Sequence, residues 1–439
     1  MSRLWPLYAV AAAAAVVVLA FPPPGLPSPR RRGVAPSPLA AARAPPPQWP
    51  WMSAADVADF ERDFAASEEA AARQAAASSD PAIPPASAAA SAPGPAAVAA
   101  PVPRHLLSLA AAPPRSWVVD GRDRRPSAPF VTGDGFRAAA DMRCEPPDDE
   151  CAGVDAEGWA AARPGAAAVI FVKQDHVAAF AARALPRLRA ARVRFVLVTH
   201  NSDAPAPASE AEARLLDEEP LLLAWFAQNP ARAHARLRAL PIGLENRYNP
   251  FGRNPGALLR GRAAAARAAP RRLVLAAFSA ATNPSVRAPL AAAAAAAFGA
   301  NVTVAAEPGQ DSWYAAVADH RLVLCPAGHG LDTHRTWETL YLGRVPAVES
   351  SALDALFEDL GLPALVLADW GLVGERGGVG EIARRLAAVE ARVASGEVGG
   401  AGLRLATHVC RIFSAASRAD ELAGCSGAHA SAPPGLRRD

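Results

Sequence analysis

Short β-rich apolar runs alternate with helical patterns from Trp117 to near the C-terminus. Eight runs predict strands: 168–173, 193–199, 238–242, 273–278, 301–305, 321–325, 345–348 and 364–368. The stretches between them predict helices near 175–190, 211–227, 255–268, 284–298, 311–318, 333–343, 352–359 and 379–395. Such alternation is typical of α/β proteins with parallel sheets. The region, about 315 residues, is too long for one small doubly wound sheet, so we predict two Rossmann-like halves. We place them at 113–265 and 266–430.

The N-terminus carries a different pattern. Residues 4–21 are apolar and uncharged, and Arg3 precedes them. Eighteen residues are close to the minimum for spanning a bilayer and close to the maximum for a signal-peptide core. We therefore predict that 1–21 is a signal-anchor or a cleaved signal peptide. The basic run 30–32 follows the apolar segment, and positive charge on that side disfavours a lumenal location for the rest of the chain. A plastid presequence stays an alternative.

Residues 22–112 are rich in Pro, Ala and Ser and lack strand-forming residues. This composition predicts a disordered, mostly extended stem. One helix is expected within it, because Ser53 is a suitable N-cap and residues 55–77 are rich in helix formers.

Composition changes how these patterns are interpreted. The chain is 51% hydrophobic, but much of that fraction is alanine, and every basic residue except Lys173 and the histidines is arginine. A GC-biased genome explains both excesses, so residues with AT-rich codons mark positions of interest. They concentrate in four segments of the N-terminal half, three of which lie where predicted strands give way to loops: Lys173, Asn201, Asn229, Asn246, Tyr248 and Asn249. The net charge of +3 is small. The sequence shows no basic face with interleaved aromatics, so nucleic-acid binding is not predicted.

The five cysteines indicate two short loops rather than a disulfide scaffold. Cys144 and Cys151 bracket one loop, and Cys410 and Cys425 bracket another, so each pair could form a disulfide in an oxidising compartment. Cys325 lies in an apolar strand and is expected to be a buried thiol. The absence of a C-x-x-C pattern argues against structural zinc.

The densest candidate chemistry lies between Cys325 and Glu338. It follows a predicted strand, and in parallel sheets ligands bind beyond the carboxyl ends of the strands. Gly328 and Gly330 would let a phosphate approach the backbone at the start of the next helix. Arg335 suits phosphate oxygens, and Glu338, one helical turn later, suits two ribose hydroxyls. The ordinary alternative is a surface Arg–Glu ion pair of little energetic value. No third ligand joins His329 and His334, so no metal site is predicted.

This segment resembles the nucleotide-sugar-binding segment of exostosin-like glycosyltransferases. The matching positions are Pro326, Gly328, Gly330, Asp332, Arg335, Trp337, Glu338, Leu340, Gly343 and Pro346. The resemblance spans roughly 165–375. It implies a GT-B fold, in which two Rossmann-like domains face a cleft and the C-terminal one holds the nucleotide sugar. The predicted donor-binding residues are Gly328, Gly330, Asp332, His334, Arg335, Thr336, Glu338 and Lys173.

The resemblance also implies a membrane-anchored enzyme with a lumenal catalytic region in the Golgi or ER. A secreted or plastid protein is the alternative. The nucleotide sugar would be a co-substrate, and no cofactor or metal is implied. The acceptor would be a glycan or glycoprotein, and residues 4–21 would contact the membrane.

A second group of polar residues occupies predicted strand ends in the N-terminal half. An acceptor hydroxyl needs a general base near the cleft, and the candidates are Asp203, His200 and Asp175. Asp203 comes first, because a carboxylate after a strand is well placed and stays ionised. Lys173 would neutralise donor phosphate or pair with Asp175. Ordinary turn chemistry explains several of the same residues.

The sequence therefore predicts a glycosyltransferase of the secretory pathway that transfers a sugar from a nucleotide sugar to an acceptor hydroxyl. A non-catalytic carbohydrate- or nucleotide-binding relative is the first alternative. A soluble nucleotide-binding enzyme of a plastid is the second.

Overall fold

The computed structural model describes residues 61–62, 64–66, 69, 118–119, 122–267, 269–305, 309–418 and 425. The predicted signal segment lies outside these residues, as does almost all of the stem. The six described residues between 61 and 69 are helical and fall within the helix expected after Ser53. In the part of the chain that the structure describes, no helix is long and apolar enough to cross a bilayer.

Two parallel five-stranded sheets dominate the described fold. The N-terminal sheet has the order β3-β4-β5-β6-β7. Its strands are β3 (Met142–Cys144), β4 (Ala168–Lys173), β5 (Phe195–His200), β6 (Leu222–Ala227) and β7 (Leu237–Ala239). A separate antiparallel pair, β1 (Val118–Val119) and β2 (Arg122–Asp123), precedes it. The helices of this part are α1 (Gly133–Ala139), α2 (Ala156–Ala162), α3 (Val177–Ala179), α4 (Leu185–Ala190) and α5 (Glu210–Glu218). A 3-10 turn (Gln174–His176) precedes α3, and a π-helical turn (Phe180–Ala184) joins α3 to α4.

The C-terminal sheet has the order β12-β11-β10-β8-β9. Its strands are β8 (Arg272–Ala277), β9 (Val302–Ala305), β10 (His320–Leu324), β11 (Val345–Glu349) and β12 (Leu365–Leu367). The helices are α6 (Pro255–Arg267), α7 (Pro284–Phe298), α8 (Gln310–Ala318), α9 (His334–Tyr341), α10 (Asp354–Asp359), α11 (Gly371–Gly374), α12 (Gly378–Ala394) and α13 (Leu405–Ala415). All pairings in the sheet are parallel. The predicted class, α/β with parallel sheets consistent with two Rossmann-like halves, is confirmed.

All eight predicted strands occur, but the predicted helix 211–227 is wrong in its second half. Helix α5 begins after Ser209, whose hydroxyl accepts the Glu212 N–H at 3.3 Å, and ends at Glu218, two residues before Pro220. The run Leu222–Ala227 is then the buried strand β6. A short apolar run does not distinguish a buried strand from a helix, which explains the error. The pattern also missed β3, which is three residues long, and the helices α1, α2 and α13.

Packing joins the two sheets into one compact unit. Ile242 and Leu244, which follow β7, share a buried apolar cluster with Trp337 and Leu340 of α9. Helix α13 packs across the N-terminal sheet in a second cluster, with Leu405 among its buried residues. Each such side chain contributes about 1.5–3 kcal/mol when fully buried. The halves are therefore held together by core packing as well as by polar contacts.

The cysteine predictions are confirmed. Disulfides join Cys144 to Cys151 and Cys410 to Cys425. Cys325 is a buried free thiol. Burial raises the pKa of the Cys325 thiol to about 12, against smaller opposing contributions from Arg335 and the threonine hydroxyls of α9.

Candidate functional site

The carboxyl ends of the two sheets meet at the loop of residues 326–333, which joins β10 to α9. The side-chain oxygen of Asn229, just after β6, accepts the N–H groups of Leu331 and Asp332, each at 3.1 Å. A Cβ on Gly330 would lie 2.9 Å from Asn229 Nδ2 and 3.3 Å from Asp203 Oδ1. Glycine is therefore required for this approach between the halves. The loop predicted to bind a ligand thus faces the N-terminal half, where the predicted base residues lie. This agrees with the expectation that ligands bind beyond the carboxyl ends of parallel strands.

Asp332 ties the two halves together. Its carboxylate accepts the Ile242 N–H at 2.7 Å, the Trp337 indole N–H at 2.7 Å and the Thr333 N–H at 2.8 Å. Burial raises the pKa of Asp332 to about 7, although these three hydrogen bonds oppose the shift. In the same region His334 Nδ1 lies 2.8 Å from the carbonyl oxygen of Gly243. Asp332 and His334, two of the predicted donor-binding residues, are thus engaged with the N-terminal half.

The first part of the loop is held from α7. The Arg287 guanidinium donates to the carbonyls of Ala327 at 3.0 Å and Pro326 at 3.2 Å. A Cβ on Gly328 would lie 3.1 Å from Arg287 Nη2, so glycine leaves room for this guanidinium. Asn283 adds a hydrogen bond to the Gly328 carbonyl at 3.2 Å. No local pattern connects these residues with the loop, since they precede it by about 40 positions along the chain.

Arg335 and Glu338 lie on α9 and are buried, with 7% and 5% of their surfaces exposed. The surface ion-pair alternative therefore does not describe them. Glu338 accepts the Trp313 indole N–H at 2.8 Å and the Tyr314 hydroxyl at 3.3 Å. The Arg335 guanidinium lies over the rings of Trp313 at 5.4 Å and Phe278 at 5.9 Å. This arrangement combines a cation, a carboxylate and aromatic rings in one buried place.

Burial raises the pKa of Glu338 to about 7. The hydrogen bond from Trp313 and the charge of Arg335 oppose the shift, whereas the charge of Glu245 adds to it. Glu245 comes from the segment after β7, so a carboxylate of the N-terminal half lies within electrostatic range of α9. Thr336 is also buried, and its hydroxyl is 3.3 Å from that of Thr333.

Four polar side chains form an exposed cluster at the ends of β4 and β5: Lys173, Asp175, Ser202 and Asp203. Asp175 contacts both the Lys173 ammonium and the Ser202 hydroxyl. The Asp203 carboxylate lies 4.0 Å from the imidazole of His329 in the opposing loop. Burial lowers the pKa of Lys173, and the nearby charges of Arg122 and Arg124 act in the same direction, while Asp203 opposes them. Asp203 and Asp175 are thus accessible carboxylates, and Asp203 lies beside the 326–333 loop.

His200 has a different environment. It is 1% exposed, its Nδ1 accepts the Asn201 N–H at 2.8 Å, and its Nε2 lies 3.0 Å from the carbonyl oxygen of Pro241. These partners indicate the neutral tautomer with the proton on Nε2. Burial lowers its pKa to about 4. Both nitrogens are engaged, so His200 positions backbone at this strand end.

A buried polar network underlies the exposed cluster and was missed by the sequence analysis. The Asp134 N–H donates to Asn246 at 2.8 Å, Asn246 donates to Asn201 at 2.8 Å, and Arg124 pairs with Asp134 at 2.7 Å. Burial raises the pKa of Asp134 to about 6, although the charge and hydrogen bond of Arg124 oppose the shift. The scarcity of asparagine marked Asn201 and Asn246 but assigned them no partner. Asp134 and Arg124 carried no signal, because neither helix α1, which contains Asp134, nor strand β2, which Arg124 follows, was predicted.

Across residues 122–267, 269–305 and 309–418, no three or more His, Cys, Asp or Glu side chains group so as to hold a metal ion. Comparison with models of known protein families finds no match for this sequence. Comparison with curated proteins also finds no match.

Proposed function

We propose that the protein is a GT-B type glycosyltransferase that transfers a sugar from a nucleotide sugar to a hydroxyl of a glycan or glycoprotein. One observation carries the proposal. Arg335 and Glu338, which match the exostosin-like motif, lie buried beside Trp313 at a sheet edge that faces an accessible carboxylate, Asp203. A buried cation and carboxylate in a ligand-binding position are typical of functional sites.

In the proposed reaction, Asp203 accepts the proton of the acceptor hydroxyl. The acceptor oxygen forms a bond to the anomeric carbon as the bond from that carbon to the diphosphate breaks. The nucleoside diphosphate leaves with the electron pair, and Arg335 stabilises its negative charge. Inversion at the anomeric carbon is what the resemblance implies.

Other residues receive supporting roles. Glu338 accepts hydrogen bonds from ribose hydroxyls, for which it must exchange the bonds from Trp313 and Tyr314. Lys173 holds Asp175 and adds positive charge at the acceptor side. Gly328 and Gly330 belong to the loop whose backbone approaches phosphate oxygens, and their lack of a side chain also admits Arg287 and Asn229.

We further propose that residues 4–21 anchor the protein in the Golgi or ER membrane with its catalytic region in the lumen. Two disulfides support this location, because they persist in oxidising compartments and are rare in reducing ones. Microscopy of a tagged full-length chain tests the location, and retention in a plastid would contradict it.

The test of the donor site uses the full chain and a panel of nucleotide sugars. Binding is measured by calorimetry, and transfer is measured with a mixed pool of oligosaccharide acceptors. Conservative changes suit the buried positions, so the variants are Arg335→Lys and Glu338→Gln, and circular dichroism checks their fold. We expect each to weaken donor binding about tenfold or more. Full binding and full transfer in both variants would refute the donor site.

The test of the base compares Asp203→Asn with Asp175→Asn, since both positions are accessible carboxylates of the same cluster. We expect Asp203→Asn to lower the transfer rate about 10²–10⁴-fold while donor binding is retained. A larger loss in Asp175→Asn would assign the base to Asp175. Donor binding without transfer to any acceptor in the wild type would favour the non-catalytic alternative.

A further inference from the structure

A groove of about 410 Å³ opens beside the candidate site and was not anticipated from the sequence. We call it the arginine groove. It is lined by Arg122, Asp123, Arg125, Arg247, Tyr248 and Arg253. Strand β2 supplies one wall, and the segment after β7 supplies the other. It lies outside α9 and the 326–333 loop, which form the proposed donor site.

The lining of the groove is strongly cationic, with four arginines and one aspartate. Asp123 accepts hydrogen bonds from Arg125 at 3.0 and 2.7 Å. Burial disfavours the ionised form of Asp123, but the hydrogen bonds from Arg125 and the charges of Arg125 and Arg247 outweigh it and lower the pKa. The aspartate is thus committed to one arginine, while Arg122 and Arg253 are exposed to solvent along the groove.

Contacts among its own side chains hold the lining of the arginine groove in place. The guanidinium groups of Arg122 and Arg124 lie 5.5 and 5.3 Å from the centre of the Tyr248 ring, within range of cation–π attraction. The Tyr248 hydroxyl accepts a hydrogen bond from Asn246 at 3.2 Å, which connects the ring to the buried network. Arg247 is 6% exposed. Side chains ordered in this way lose less entropy when a ligand binds.

The arginine groove lies within electrostatic range of the exposed cluster. The charges of Arg122 and Arg124 act on Lys173 and contribute to its lowered pKa. Asn246, which positions Tyr248, also donates to Asn201 beside Ser202 and Asp203. A ligand that reaches Asp203 with one hydroxyl therefore has cationic side chains within reach for another of its groups.

We propose that the arginine groove is an oxyanion-binding subsite, which takes a carboxylate, sulfate or phosphate group of a ligand that extends towards Asp203. Guanidinium groups bind such planar or tetrahedral oxyanions through paired N–H donors, which is the chemistry that the lining supplies. The placement beside Asp203 rests on the proposed function, in which the acceptor occupies that side. Oxyanion binding itself does not depend on sugar transfer.

The experiment measures binding to the full-length protein by calorimetry at low salt and without a donor. The probes are an oligomer of a uronic acid, the neutral oligomer of the corresponding hexose, a sulfated oligosaccharide and inorganic pyrophosphate. We expect the anionic probes to bind and the neutral oligomer to bind at least tenfold more weakly. Affinity should fall as ionic strength rises, because salt screens these charges.

The groove variants are Arg122→Gln and Arg253→Gln, chosen because both side chains are exposed and their loss spares the buried network. The matched control is Arg214→Gln, an exposed arginine of α5 outside the groove. We expect about tenfold weaker binding of the anionic probe in each groove variant and no change in the control, consistent with one charge-assisted hydrogen bond.

The probes also identify the source of the oxyanion. Tighter binding of an acidic oligosaccharide than of pyrophosphate supports a groove for an acidic saccharide, and the reverse order supports one for free phosphate groups. Equal affinity for neutral and anionic oligomers, or unchanged binding in both groove variants, overturns the proposal. Nucleotide-sugar binding is measured in the same variants: retained donor binding with lost oxyanion binding separates this site from the donor site.

Discussion

Replacing Asp332 by alanine tests whether this residue joins the two halves. The variant leaves three donors without their acceptor: the N–H groups of Ile242 and Thr333 and the indole N–H of Trp337. All three residues are buried. With about 1 kcal/mol of net stabilisation for each hydrogen bond, Asp332→Ala should lower the free energy of unfolding by about 3 kcal/mol at pH 5.5.

The loss should depend on pH because burial raises the pKa of Asp332 to about 7 from its ordinary value of 3.8. Between these values the folded protein retains a proton that the unfolded chain has released. The stability due to this proton is fully present below pH 3.8 and is lost as the pH rises through 7. Linkage gives about 2 kcal/mol between pH 5.5 and 7.5 for such a group. Alanine does not titrate, so the destabilisation by Asp332→Ala should shrink to about 1 kcal/mol at pH 7.5.

The assay is urea denaturation of both proteins at pH 5.5 and 7.5, followed by tryptophan fluorescence. The control is Asp354→Ala, an aspartate that accepts hydrogen bonds from the Ser350 hydroxyl at 2.6 Å and the Ser351 N–H at 2.9 Å at the surface. We expect it to lose about 1 kcal/mol, as for a helix cap. A loss in Asp332→Ala no larger than the control at pH 5.5, or one that grows as the pH rises, would refute the reasoning.

Two further predictions concern the 326–333 loop. A Cβ on Gly330 would lie 2.9 Å from Asn229 Nδ2, so Gly330→Ala should destabilise the protein by about 1–3 kcal/mol. The control is Gly380→Ala inside α12, where a Cβ meets nothing within 4 Å. Because alanine favours the helix more than glycine does, this variant should be about 0.5–1 kcal/mol more stable. Thermal melts of both variants check the opposite signs, and equal shifts would contradict the close approach. Arg287→Met removes the donors that hold the loop carbonyls, so hydrogen exchange of amides 327–330 should quicken and donor binding should weaken several-fold. Unchanged exchange would show that the loop is held by other contacts.

The sequence alone determined the class of the fold, because β-rich runs and helical stretches repeat in an order that only parallel sheets accommodate well. It also placed Gly328 and Gly330 in a loop that follows a strand, and Arg335 and Glu338 on the next helix, as the structure has them. It failed at Leu222–Ala227, where a strand buried on both faces shows no alternation of polar and apolar residues. The spacing of apolar residues alone cannot identify such a strand.

Tertiary structure decided how the polar residues at the strand ends are used. His200 and Asp203 are three positions apart, and both were candidate bases, with Asp203 placed first. In the structure His200 is buried with its Nε2 against the Pro241 carbonyl, whereas Asp203 is exposed and lies beside Gly330. Arg287 reaches the loop from another helix, 39 positions before Pro326 along the chain. The spacing of apolar residues in a local segment of sequence indicates whether that segment forms a helix or a strand. Which distant side chains share a buried place depends on how complete elements pack, and no local pattern records that.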